Sequence, residues 1–427
     1  MSNTPEVSIL TFAYNAEKYI RKCADSILGQ TFSNIEWIVI DNGSTDATGK
    51  ILSEYEKNDT RVRLYRNNEN SRKENADCKY IDYFDLFSLV RGNYFTTLDS
   101  DDFFELNFVA EMIELGRKTD ADMVICGNNF IPESTGKITG YRVPPDFIGN
   151  VSELCQRLPE FYACLRPMWE RLYKTETFRQ NEGYLRIHGN SLRNGGDTFM
   201  NLKFLQVSNR VASINKVLHN YLIREDSVYH SRIYLDRWKS YDLIFIEGLS
   251  LLTQYSAATP ENISFLSAVL INSLMDLIDV GKRSESASDT DRIRFLLSSA
   301  TSPMLALCIN YIPRETVSNY LYRLFQTMWP IIKSAIIADE LDTDLKWEIL
   351  NFLNKINGKE HIIDAIMMGK ILSASLEDQD QYIAYCKMLI AFYIENNNFS
   401  EAKKEFLDLY EILPDDPDLQ RYTALFT

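Results

Sequence analysis

Gly92-Asn93-Tyr94-Phe95-Thr96-Thr97-Leu98-Asp99-Ser100-Asp101-Asp102 decides how this chain is read. The uncharged run from Tyr94 to Leu98 predicts a buried strand, and it stops at three carboxylates within four residues. Working outward, short apolar runs at 7–12, 36–40, 62–66 and 123–126 alternate with helix-period stretches at 16–28, 47–57, 76–90 and 107–118. Such a βα repeat predicts an α/β fold with right-handed crossovers, a mostly parallel sheet covered on both faces, and ligands bound beyond the carboxyl ends of the strands. Polar residues at those ends become the candidates for chemistry.

At 427 residues the chain exceeds the usual size of one domain. The alternation ends near residue 232, and helix-compatible stretches follow, punctuated by Pro260, the polar run 284–291, Pro313 and Pro330. We therefore expect a catalytic domain over 1–235 and a helical accessory domain over 236–427. Within 385–420, Leu389, Tyr393, Ala402, Phe406 and Pro414 fall at the offsets of one tetratricopeptide-like helix pair turning at 396–398, or of an ordinary helical hairpin. The formal charge of −15 excludes nucleic acid as a main partner, because phosphate binding needs clustered Lys and Arg. Seven scattered cysteines without a CxxC pair indicate reduced thiols rather than a disulfide framework or a zinc cluster. No unbroken apolar run approaches the roughly 18 residues of a membrane span, so the expectation is a cytoplasmic protein, compatible with peripheral attachment at the inner face of the membrane.

The cluster Asp99-Ser100-Asp101-Asp102 has two readings. Carboxylates this close repel, and a hard divalent cation (Mn²⁺ or Mg²⁺) bridging them to diphosphate oxygens relieves that repulsion. Alternatively, the same residues cap the next helix and line its first turn. After the second strand, Asp41-Asn42-Gly43-Ser44-Thr45-Asp46 repeats the pattern: Gly43 and Asp46 suit a turn and a helix cap, whereas Asp41 and Asn42 can hydrogen-bond a nucleobase and ribose. After the first, Tyr14-Asn15 offers an aromatic face and a helix cap. All three motifs converge on one sheet edge.

With these residues the chain resembles the family 2 glycosyltransferases of GT-A fold. The likeness lies in 7–15, Gln30-Thr31-Phe32, 38–46 and 92–102, and continues through Met168-Trp169-Glu170-Arg171-Leu172-Tyr173, Gly195-Gly196-Asp197-Thr198-Phe199 and 217–228. It implies a nucleotide-sugar donor, UDP-linked in the first instance, held by Phe12, Tyr14, Asn15, Asp41, Asn42, Asp99 and Ser100, with Asp101 on the metal. It also implies that Asp197 takes the proton from the acceptor hydroxyl as that oxygen attacks the anomeric carbon, inverting it. The bland reading of Asp197 is a cap on the helix that follows. His219 is a candidate third metal ligand or a satisfied buried side chain, His188 faces the acceptor or solvent, and Arg224 can neutralise the leaving diphosphate.

Three positions depart from the family pattern: Phe12 stands where Pro is usual, Asn42 where a second acid is usual, and the expected Ala-Arg-Asn is missing near Tyr83-Phe84. Arg72, Lys73 and Lys79 are the bases available to replace that Arg, or are solvated surface charges. The resemblance implies a glycan or lipid-linked acceptor in bacterial-type surface polysaccharide synthesis, with the helical half binding a protein partner, a glycan or a second copy of the chain. A nucleotidyltransferase is the competing enzyme class, although the Gly-rich phosphate loop it needs is missing after the first strand. A noncatalytic nucleotide-binding scaffold is the third reading.

Overall fold

In a computed structural model, residues 4–68, 83–180, 192, 194–224, 236–283, 287–308, 310–356 and 363–426 are described. The chain divides into two compact units, 1–231 with 239–266, and 232–238 with 267–427.

The first unit is built on ten strands: β1 (Val7–Ala13), β2 (Ile35–Asn42), β3 (Val62–Asn67), β4 (Tyr94–Thr97), β5 (Phe103–Phe104), β6 (Met123–Pro132), β7 (Gly140–Arg142), β8 (Phe147–Asn150), β9 (Arg171–Lys174) and β10 (Arg210–Ile223). They lie in the order β3-β2-β1-β4-β9-β6-β10-β5, with β7 on β6 and β8 on β10. β1 to β4 pair in parallel, as do β6 and β10. β9 runs antiparallel between β4 and β6, and the short β5, β7 and β8 are also antiparallel. The sheet is thus mixed, and its long strands still share one direction. Helices α1 (Ile20–Leu28), α2 (Thr48–Asn58), α3 (Tyr83–Ser88), α4 (Phe108–Thr119), α5 (Val151–Gln156), α6 (Leu158–Leu165), α7 (Thr175–Arg179) and α8 (Gly196–Val207) are interspersed with the strands.

β2 is buried along its whole length and β1 nearly so, as expected for strands covered on both faces. Their polar residues are correspondingly paired. Thr11 accepts from the Trp37 indole at 3.0 Å, and Ser8 donates to Glu36 at 2.6 Å. Glu36 also takes Arg63 at 2.8 Å and Arg91 at 2.6 Å, tying the amino ends of β1, β2 and β3 to the turn before β4. Gly92 sits in that turn because a Cβ there would come within 2.7 Å of the Ser8 nitrogen. α1 and α4 pack Ile20, Cys23, Ala24, Ile27, Phe108 and Met112 into the same core as Val7, Ile9, Trp37 and Val39.

Beyond residue 236 every described element is a helix. Pro260 and Pro313 stand at helix starts, as expected, but Pro330 lies inside helix Arg314–Ile337. An interior proline costs a helix about 3 kcal/mol. Here Met328, Ile331, Ile332 and Ala335 are buried around it, and that packing carries the helix through. Helix Pro260–Arg283 is long and apolar enough to cross a membrane by length and composition, a property that a search for an unbroken apolar run misses; 44% of its most apolar window is buried inside the protein. Near the C-terminus, helices Gln379–Glu395 and Phe399–Ile412 turn at Asn396–Asn398, with Asn397 at φ 57° and the Asn398 N–H donating to the Tyr393 carbonyl. Ala402, Phe406, Ile390 and Leu419 form the core of that hairpin.

Candidate active site

Because β1, β2 and β4 are parallel neighbours, their carboxyl ends open on one edge. The segments leaving β1 and β2 are stitched together there. The Asn15 side chain accepts from the Thr45 N–H at 2.8 Å, and Ser44 accepts from the Asn15 N–H at 3.0 Å. Thr48 accepts from Ala16 N–H at 2.7 Å, and Asp46 accepts from both Glu17 and Thr48 N–H. Asn15 does not cap the following helix: α1 begins at Ile20 after Tyr19, and Asn15 adopts φ 48° and bonds across to the other loop. Asp46 is not the cap residue of α2 either, since Ala47 holds that position, but its side chain accepts from the N–H of Thr48, the first residue of the helix.

This stitching leaves Tyr14 43% exposed at the edge and Phe12 half-buried beside it. Asp41 is buried, accepts from Ser44 N–H at 3.0 Å, and packs its other oxygen against Gly49, where a Cβ would come within 2.5 Å. Asn42 is buried and accepts from the Asn67 amide at 2.8 Å, so it also braces the end of β3.

The β1–β4 ladder ends where Leu98 N–H donates to Leu10, and Asp102 N–H then closes a turn on the Asp99 carbonyl. Asp99 is exposed, Ser100 and Asp101 are partly exposed, and Asp102 is 1% exposed. Burial pushes the Asp102 carboxyl well above its ordinary range, and the charges of Asp99 and Asp101 add to the effect. Its Oδ1 accepts from Leu222 N–H at 2.8 Å, and its Oδ2 lies 3.3 Å from Nε2 of His219. His219 is fully buried, and that burial lowers its pKa to about 3, so the ring is neutral. The imidazole is stacked on Trp169 at 4.5 Å and reaches Asp102, not Asp101. Asp101 instead meets Arg224, the residue after β10, at 2.8 Å.

Since β9 runs against its neighbours, its first residue lies at this same edge, and so does the turn that enters it. In that turn the Met168 N–H donates to Asp197 Oδ2 at 3.3 Å. Asp197 is exposed in the first turn of α8, whose cap position is Gly195 at φ 70°; Asp197 is therefore not the cap. Asn201, one turn on, ties α8 to the carbonyls of Leu165 and Pro167. Three residues that the sequence reading left without a role brace this turn. Trp169 stacks on both His219 and Tyr221, Glu170 is fully buried at φ 62°, and Arg142 reaches Glu170 at 3.3 Å while lying over the Trp169 ring. Burial raises the Glu170 carboxyl to about 7, against the pull of Arg142 and Arg171. An adjacent Glu and Arg inside an otherwise apolar stretch was the signal available in the sequence. His188, Arg72, Lys73 and Lys79 lie outside the described residues, as do Cys78 and the side chains of Tyr83 and Phe84; the other six cysteines are buried.

Asp99 and Asp101 offer hard oxygen donors of the kind that Mg²⁺ and Mn²⁺ prefer. Among the described residues no three His, Cys, Asp or Glu side chains come together as a cage. That donor set fits a cation held by one or two carboxylates and completed by phosphate oxygens of a ligand.

Residues 8–180 match the family model described as Glycosyl transferase family 2. Among curated proteins, Glycosyltransferase GlyA of Streptococcus pneumoniae is 31% identical over a stretch covering 55% of this chain and 32% of that protein. Glycosyltransferase GlyG of the same organism is 28% identical over 52% of this chain and 72% of its own length. The chain thus spans about a third of the first of these relatives and under three quarters of the second. Among solved structures, S. aureus TarS 1-349 in complex with UDP aligns at a TM-score of 0.49 and 15% identity, covering 78% of this chain and 92% of that one.

Proposed function

We propose that this chain, whose residues 8–180 match the Glycosyl transferase family 2 model, moves a sugar from a nucleotide-sugar donor to an acceptor hydroxyl, with inversion at the anomeric carbon. The observation that supports this reading best is the gathering of Asp41, Asp99, Asp101, Arg224 and Asp197 along one sheet edge. Tyr14 and Phe12 offer the base an aromatic wall, and the Asp41 carboxylate can accept from the imide N–H of uracil, which makes a UDP-sugar the first donor to test. Asn15 and Asn42 hold the two loops that shape this end of the site, and Asp99 and Ser100 are placed for the ribose. Asp101, with Asp99, would hold a divalent cation, which when bound neutralises charge building on the departing diphosphate. Arg224 supplies a second, planar cation suited to phosphate oxygens.

Asp197 accepts the acceptor's proton as the C–O bond forms. Asp197 is exposed, and the Met168 N–H orients its carboxylate. His219 is left out of the metal set, since it is sealed beneath Trp169 and directed at Asp102. We place the reaction on the cytoplasmic side of the membrane, with a glycan or lipid-linked acceptor of surface polysaccharide synthesis.

The test is thermal unfolding of the protein with UDP, GDP and CMP, each with Mn²⁺ or with EDTA, repeated for Asp101→Ala. A ligand that binds only the folded state raises the midpoint. One nucleotide should stabilise with Mn²⁺ only, and the variant should lose that effect. If no nucleotide moves the wild-type midpoint under either condition, the donor site is elsewhere or the chain is a scaffold.

A further inference from the structure

We propose that Arg224 is a built-in stand-in for the metal, and that it changes partner from Asp101 to the donor diphosphate as the site fills, so that metal and nucleotide enter as a linked pair. The inference rests on the reading of Asp101 as metal ligand and goes one step further.

Three observations carry it. Arg224 Nη1 lies 2.8 Å from Asp101 Oδ2, so one arm of the guanidinium occupies the oxygen through which a cation would be bound. The contact is held from behind: the guanidinium carbon lies 5.1 Å from the centre of the Tyr19 ring, the Tyr19 hydroxyl donates to Glu133 at 2.5 Å, and Glu133 N–H donates to Ile223, the residue before Arg224. Elements from three places in the chain thus converge on this one cation. Finally, the ion pair is only partly buried, with side chains 21% and 24% exposed, so water can reach it and a partner exchange needs no opening of the core.

The electrostatics then dictate an order. A divalent ion on Asp101 Oδ2 at about 2.1 Å would sit within a few ångströms of the guanidinium, and two cations at that distance repel. Metal alone must therefore compete with Arg224 for that oxygen. An arriving diphosphate changes the balance, because it offers the planar guanidinium a two-point anionic partner and offers the metal its missing oxygens. Each of the two ligands then strengthens the other, and by linkage the factor is the same in both directions.

Manganese binding to the full-length protein, followed by the loss of the paramagnetic resonance signal of free Mn²⁺, tests the exchange without any turnover. Arg224→Gln should bind Mn²⁺ alone roughly tenfold more tightly than the wild type, a factor at the low end of those seen between coupled sites. UDP should strengthen Mn²⁺ binding to the wild type by about that factor and to Arg224→Gln by much less. Lys18→Gln, which removes an exposed charge from the segment after β1, should leave metal-only binding at the wild-type level. If Arg224→Gln and the wild type bind Mn²⁺ alone equally, or if Lys18→Gln gives the same gain, the exchange is wrong. Asp101→Asn separates that failure from the failure of the reading beneath it: it should lose Mn²⁺ binding in the presence of UDP, and retention at the wild-type level would remove Asp101 from the metal site altogether.

Discussion

Asp197 and Glu170 stand on either side of one turn and show how much a single side chain decides. Asp197 is exposed in the first turn of its helix, and its Oδ2 accepts from the Met168 N–H at 3.3 Å. Asp197→Asn should keep the fold and the nucleotide-induced rise in midpoint while lowering kcat by about 10² to 10⁴, the usual worth of general acid–base catalysis. A loss of less than tenfold would mean that the base is another group. Glu170 is the opposite case. It is buried at a positive φ that non-glycine residues rarely adopt, and its carboxyl is raised to about 7. Between the unfolded value of about 4.3 and 7 the folded state holds the proton more tightly than the unfolded one, so this group's contribution to stability falls as pH rises through that window. Glu170→Gln cannot ionise. Its melting midpoint relative to the wild type should therefore climb from pH 5 to pH 8, and a pH-independent difference would show that Glu170 stays charged against Arg142 throughout.

At the scale of elements, the strands and helices that repeat a simple pattern were legible. β1, β2, β3, β4, α2 and α4 all fall within a residue or two of their expected places; β1, β2 and β4 do so because strands buried on both faces read as largely uncharged runs. β9 was not legible: Arg171-Leu172-Tyr173-Lys174 is four residues long and begins and ends on a cation, yet it is slotted antiparallel between β4 and β6 and mostly buried. What places it is the partner strands, which a local pattern does not contain. β10 escaped for a related reason. Asn215, Lys216, His219 and Asn220 break its apolar run; Asn220 donates to Glu105, and His219 is buried against Trp169 with its Nε2 3.3 Å from Asp102. The acid motif and Asp197 were visible in the sequence as residue types, but the Asp101–Arg224 pair joins positions 123 residues apart, and no spacing announces it.

The amino edge of the sheet carries an element-scale prediction of its own. Burial pushes the Glu36 carboxyl up, but the hydrogen bonds from Ser8, Arg91 and Arg63 outweigh it and hold its pKa below the ordinary value. A depressed carboxyl contributes stability that is present above its unfolded pKa of about 4.3 and is lost as pH falls through the folded value. Glu36→Gln should cost about 2 kcal/mol at neutral pH, the scale of a hydrogen-bonded charge. The stability curves of variant and wild type should converge below pH 4 in denaturant titrations. Parallel curves would show that the carboxylate charge does not matter at this joint.

For the molecule as a whole, the two units are built on different principles, a mixed sheet with helices and a run of helices alone, and each encloses its own apolar core. Every residue assigned here to donor, metal or proton transfer belongs to the first unit. A net charge of −15 makes the protein a poor place for an anionic ligand in general, so on the proposed reading nucleotide binding draws on a local cation such as Arg224 and on the ion that Asp101 would hold. Hydrogen exchange measured along the whole chain should show this confinement directly. With Mn²⁺ and the nucleotide that raises the midpoint, protection should rise in amides near 12–17, 41–48, 98–102 and 219–224, where loop backbone is ordered by the ligand, and stay unchanged in helices Asp289–Ser299, Arg314–Ile337 and Gln379–Glu395. Protection that also rises in those helices would make the second unit a participant in donor binding, whereas protection limited to the sheet edge leaves it free for the acceptor or a partner.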